Sequence, residues 1–193
     1  GNLGTGIFKA VPVVIHQAED DEEHLIVMAL KHIGGNKKWG EWNRAKMLNT
    51  LVWEKGIPEE EVCRKIAITK HELRRAIRAL YFTKQYQESD YGDQFHQSMF
   101  PLFREVVSSQ DLKTWLHWNE TDYTADSESN REFFFQLISK VSKDNVEEDG
   151  FEGEYYAPVI TKRDEIRELA KIVDDPQAMK FLKKTRNKYD LIF

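Results

Sequence analysis

The sequence predicts a mainly α-helical chain with a short β segment near its N-terminus, a helix-turn-helix domain, and a helical region after it. Three observations carry that reading. Apolar residues recur three and four positions apart through most of the chain, the period of an amphipathic helix. Acidic or hydroxyl side chains precede those runs, where helix N-caps belong. Only one stretch, residues 11–15 (VPVVI), is dense enough in β-branched residues to read as a buried strand. The expected organisation is a strand and helix over 1–36, the helix-turn-helix domain over 37–86, and a helical accessory region over 94–193.

In the first segment, Asp20 is the expected N-cap of a helix whose first turn holds Asp21, Glu22 and Glu23, and Gly34–Gly35 stop it. A lone strand at 11–15 needs a partner strand, from another chain or from sequence upstream. Gly1, Gly4 and Gly6 form a glycine-rich start, but no strand precedes them and no lysine follows at phosphate-loop spacing. A helix over 41–55 then presents Trp42, Ala45, Leu48 and Val52 on one side and closes at Gly56. Trp39, Trp42 and Trp53 read as packing residues, not as platforms for nucleic-acid bases.

Residues 58–80, PEEEVCRKIAITKHELRRAIRAL, carry the strongest functional signal. Pro58 suits a helix start, and Glu59, Glu60 and Glu61 complement the positive end of the helix dipole. Val62 and Ile66 give that short helix one apolar face, and the small Ala67 falls at the turn. Thr69 and Glu72 form a T-x-x-E capping box. Leu73, Ile77 and Leu80 then make the buried stripe of a second helix. Opposite that stripe lie Lys70, His71, Arg74, Arg75 and Arg78, so Thr69 and these five residues are the candidate contacts to double-stranded DNA. The chain as a whole has a formal charge of -5, which excludes a global basic field and requires any such contact to be local. Between Lys70 and Lys84 the only anion is Glu72.

Residues 85–93 read as a polar linker. Beyond them Phe95, Met99, Leu102, Phe103 and Val106 suggest a helix that Pro101 ends or kinks. Ser109 caps a short helix, and residues 128–143 form a wide-faced apolar one around Phe133, Phe134 and Phe135. An acidic loop begins at Asp144. Thr161 with Asp164 starts a further helix through Val173. Asp175–Pro176 starts the last, whose Lys180, Lys183, Lys184, Arg186 and Lys188 make a second basic patch. Three consecutive phenylalanines point about 100° apart on a helix, so at least one must face a second layer: the hairpin, the final helix or another subunit. The aromatic helices beyond Phe95 also offer a surface for a protein partner.

From residue 10 to residue 80 the chain resembles the ParB family of partition proteins and the broader ParB/sulfiredoxin-like superfamily. The residues that carry the likeness are VPVVIHQAEDDEEHLIVMALKHI, which looks like the closing strand and helix of the family's nucleotide-binding domain, and WNRAKMLNTLVWEKGIPEEEVCRKIAITKHELRRAIRAL, which looks like its helix-turn-helix. The resemblance implies that 1–36 is the end of that nucleotide domain. It also implies CTP with magnesium as the family's cofactor, a homodimer on paired DNA half-sites, and a cytoplasmic, nucleoid-associated protein. The sequence departs from the pattern at two places. Gly1–Asn2 is followed by Leu3–Gly4 where the family has an arginine-rich motif, and Lys31–His32–Ile33–Gly34–Gly35 replaces its Glu-Asn-Ile-Gln-Arg motif. The expectation is therefore a DNA-binding partition or regulatory adaptor without nucleotide turnover by this chain alone. The alternatives are a nuclease or nucleotide hydrolase of a mobile-element or defence system, and a protein–protein adaptor.

Other chemistry finds little footing. The six histidines do not fall at the i, i+4 spacing of a zinc enzyme, and His24 and His32 lie eight apart on one helix. No nucleophile-elbow context surrounds Ser108 and Ser109. The single cysteine, Cys63, reads as a small core residue and excludes an internal disulfide. No apolar run is long enough to cross a bilayer, so no membrane partner is expected.

Overall fold

The computed structural model describes residues 21–34, 39–142 and 155–186. The expected strand over 11–15, the cap at Asp20, the glycine-rich start, Gly35, the stretch 144–154 and Lys188 lie outside the described residues. What is described is mainly helical, with two small two-stranded antiparallel sheets.

The first helices follow the apolar pattern. Helix α1 (Asp21–Ala29) passes into a π-helical turn at Leu30–Gly34, and α2 (Glu41–Asn49) passes into another at Thr50–Glu54. The single expected helix over 41–55 is thus an α-helix that widens in its last turn. Gly56 ends it with φ +69, a conformation open to glycine without steric cost. Helix α3 (Glu59–Ile66) follows directly, with Pro58 as its cap rather than its first helical residue.

Helix α4 (Lys70–Gln87) is twice the length of its neighbours and organises the molecule. Its first half buries Leu73 and Ile77 among Ile26, Leu48, Leu51, Val62, Cys63 and Ile66. Its second half buries Leu80, Phe82 and Tyr86 in a larger core. The polar linker expected over 85–93 therefore starts too early. Gln85 to Gln87 are helical, and Tyr86 is fully buried, its hydroxyl 2.7 Å from Ser139 Oγ. Sequence polarity misleads here because a buried tyrosine with a partnered hydroxyl looks, letter by letter, like its polar neighbours.

Pro101 neither ends nor kinks a helix: it stands in the first turn of α5 (Phe100–Val106), where its missing N–H has no intrahelical partner to lose. Helix α6 (Gln110–Trp115) starts as expected, with Ser109 Oγ accepting from Leu112 N at 3.4 Å. It leads into a hairpin of β1 (Trp118–Asn119) and β2 (Thr124–Ala125), which pair Trp118 with Ala125 and Asn119 with Thr124. Helix α7 (Glu128–Ile138) is shorter than the expected 128–143: Ser139 is extended, and β3 (Val141–Ser142) pairs with β4 (Tyr155–Tyr156). Helix α8 (Arg163–Ile172) is started by Glu165, not Asp164; its carboxylate accepts from the backbone N–H groups of Thr161 and Lys162. Asp175 caps α9 (Pro176–Thr185), accepting from Gln177 N and Ala178 N.

The three phenylalanines of α7 are all buried within the chain. Phe134 and Phe135 pack on Phe82 of α4, Phe135 also meets Tyr86, and Phe133 lies beneath the ammonium of Lys183 on α9. The second layer is supplied by α4 and by the final helix, which removes this run from any partner surface.

Candidate nucleic-acid interface

The α3–α4 connection is shaped by Ala67, which adopts φ 58 and ψ 46, the left-handed region. Its small side chain tolerates this at a cost of about 1–2 kcal/mol. Ile68 N donates to Cys63 O at 3.1 Å and closes α3. Thr69 Oγ1 accepts from Glu72 N at 3.1 Å, and the Glu72 carboxylate accepts from Thr69 N at 3.1 Å, so the capping box is complete. Hydrogen bonding by Thr69 holds the Glu72 carboxyl below its usual range, the backbone donor leading against some burial. Thr69 is thereby engaged in the cap. Cys63 is buried, and that burial, ahead of the nearby Glu59 charge, pushes its thiol up, away from a nucleophile.

The candidate cations of α4 divide into two sets. Lys70, Arg74 and Arg78 are four apart and share one stripe, with Tyr81 three further on. Lys70 pairs with Glu60, and Arg74 grips Glu59 with its Nε at 2.9 Å and a terminal nitrogen at 2.8 Å. Both pairs sit at the surface, where such contacts are worth about 0–1 kcal/mol. His71 is exposed beside them. Arg78 Nε lies 2.8 Å from Glu120 Oε2, an ion pair whose angle falls short of a hydrogen bond, and its guanidinium is 6.0 Å from the ring centroid of Tyr123.

Arg75 belongs to the other set. It is half-buried, donates to Arg104 O and Glu105 Oε2 at 3.4 Å each, and faces the interior. Burial, and then the neighbouring Arg104 charge, lower its guanidinium pKa. Around it, two carboxylates serve arginines from several helices. Glu41 of α2 meets Arg104 of α5 at 3.2 Å and Arg163 of α8 at 2.6 Å, and Glu105 meets Arg167 at 2.7 Å. This is a clamp between helices, and sequence spacing could not separate Arg75 from Arg74 because the two are adjacent.

The second basic patch is similarly divided. Arg186 donates to Gln136 O at 2.9 Å and Lys183 caps Phe133, while Lys180 and Lys184 remain exposed. Among the described residues no group of three or more histidine, cysteine, aspartate or glutamate side chains could hold a metal ion. No described helix is long and apolar enough to cross a membrane.

Trp53 departs from its expected packing role. It is 55% exposed, whereas Trp42 packs between Phe95 and Phe100 and Trp39 stacks on His32 at 4.3 Å. Nothing in its sequence neighbourhood distinguishes it, since the π-helical turn at Thr50–Glu54 sets where each side chain of that turn points. No family model, curated protein or solved structure matches this chain.

Proposed function

We propose that this chain is a ParB-like DNA-binding adaptor that contacts duplex DNA through the first turns of α4. One observation carries the reading: the left-handed Ala67 turn and the complete Thr69–Glu72 capping box present an exposed α4 N-terminus, with Lys70, His71 and Arg74 outward and Leu73 and Ile77 fully buried behind. A helix that enters a major groove needs this division of faces. The glutamates Glu59 and Glu60 occupy the cations in the free protein, and such exposed pairs are weak enough for phosphates to displace. Arg75 and Arg78 are both largely buried and paired, with Glu105 and Glu120, so the contact rests on Lys70, His71 and Arg74. A symmetric dimer would place two such helices on paired half-sites.

The test is titration of a fluorescent duplex over a salt series. Lys70→Ala with Arg74→Ala should weaken binding across all sequences and reduce the slope of log affinity against log salt by roughly 0.9 for each phosphate that is no longer neutralised. Arg75→Ala should leave that slope unchanged. Unaltered affinity and slope in the double variant would refute the proposed surface.

A further inference from the structure

We infer that Trp53, Tyr123 and Tyr81 form a stacking platform for unpaired nucleobases of a DNA strand, placed at the end of the α4 cation stripe. The inference rests on the duplex-binding reading for its position, and on separate residues for its chemistry. Three aromatic rings from three elements meet at the surface. Tyr123 of the β1–β2 turn lies edge-on to Trp53 at 6.3 Å and to Tyr81 of α4 at 5.7 Å. Tyr123 is held there by the hairpin: its φ is +57, and Asn119 Oδ1 accepts from Thr121 N at 2.9 Å and Asp122 N at 3.2 Å to shape the turn. These edge-on contacts hold the rings in place, and Trp53 remains more than half exposed.

Charge identifies the occupant. Lys84 Nζ sits 4.6 Å over the Tyr81 ring, and the Arg78 guanidinium stands beside Tyr123. Glu120 is shared between Arg78 and Lys113, Glu59 is held by Arg74, and the Asp122 carboxylate beside Tyr123 accepts from Asn119 Nδ2 at 3.1 Å, so the exposed Lys84 supplies the cation for a phosphate. Glu54, next to Trp53, accepts from Asn49 Nδ2 at 3.4 Å. Aromatic faces beside cations are the combination that binds a single strand, rings taking bases and cations taking phosphates. Position agrees as well. From Lys70 to Tyr81 the helix rises about 16 Å, near five nucleotide steps of about 3.4 Å. A duplex seated at Lys70 and Arg74 would carry a frayed or single-stranded end to the platform.

The experiment compares a blunt duplex, the same duplex with a short oligothymidylate tail, and oligothymidylate alone, on the full chain and on Trp53→Ala and Trp53→Phe. In the parent the tail should tighten binding about fivefold or more, since each stacked base contributes at least that much. Trp53→Ala should abolish the gain without altering blunt-duplex affinity, and Trp53→Phe should keep most of it. Both variants should keep a cooperative thermal melt, lowered by only the few degrees that loss of the Trp53–Tyr123 edge contact causes, which shows that they fold. Equal affinity for tailed and blunt duplex, or a gain that survives Trp53→Ala, overturns the platform while sparing the duplex reading. Binding of oligothymidylate that depends on Trp53, without duplex binding, supports the platform and overturns the duplex reading. Failure of every DNA probe overturns both.

Discussion

Ala67 stores strain that a single substitution should release. Its φ of 58 lies where only glycine is free of steric cost, and the residue is exposed, so no packing is at stake. Ala67→Gly should stabilise the fold by about 0.5–1 kcal/mol, after allowance for the greater freedom of glycine in the unfolded chain. Differential scanning calorimetry should show Tm higher by about 2 °C. The buried Tyr86–Ser139 pair makes the opposite kind of prediction. Burial pushes the Tyr86 phenol up despite the Ser139 hydrogen bond, so the hydroxyl stays protonated. Ser139→Ala should cost about 1–3 kcal/mol by orphaning that hydroxyl, and Tyr86→Phe added to it should restore much of the loss. Denaturant melts of the two single variants and the double variant check this. Equal losses that simply add would mean that the two groups act independently.

At the scale of the element, α4 has three faces with three duties. Leu73 and Ile77 hold it to α1, α2 and α3, Lys70 and Arg74 face outward, and Arg75 and Arg78 are largely buried against Glu105 of α5 and Glu120 beside the β1–β2 turn. Arg75→Ala should therefore destabilise by about 1–2 kcal/mol through removal of charge-assisted hydrogen bonds. Arg74→Ala should cost less than about 1 kcal/mol, because Arg74 itself is half exposed in its pair with Glu59. Urea unfolding of both variants would separate the roles, and the reverse order of losses would contradict the assignment of faces. The amphipathic period and the capping box of this helix were legible from spacing alone, because both depend on residues within four positions of one another. Its true length was not. The signal for Gln85 to Gln87 lies in Phe135 and Ser139, some fifty residues away, which make burial of Tyr86 favourable.

The whole molecule is tied together by carboxylates between helices as well as by apolar packing. Burial pushes the Glu41 carboxyl up, but its hydrogen bonds and charge contacts with Arg163 and Arg104 win and hold it below its usual value of 4.5. A carboxyl lowered in the folded state contributes stability that is fully present above that usual value and is lost as pH falls through the lowered one. Glu41→Gln should therefore be less stable than the parent at neutral pH, and the difference should shrink as pH falls below the usual value and through the lowered one. Unfolding midpoints at neutral and acid pH test this; a difference that persists undiminished in acid would exclude the ion pairs as its source.

The sequence by itself determined that the chain is mainly helical, where α4, α6 and α9 begin, and that the start of α4 is apolar on one side and cationic on the other. Each of those properties is set by neighbours within one or two turns, and such short-range physics is written in residue spacing. Only the tertiary structure decided which cations face solvent, that the phenylalanine run is spent inside the chain, and that Trp53 is not. Those outcomes depend on what lies across from a side chain once distant segments meet: Glu105 for Arg75, Phe82 for Phe134, and Tyr123 rather than a full core for Trp53.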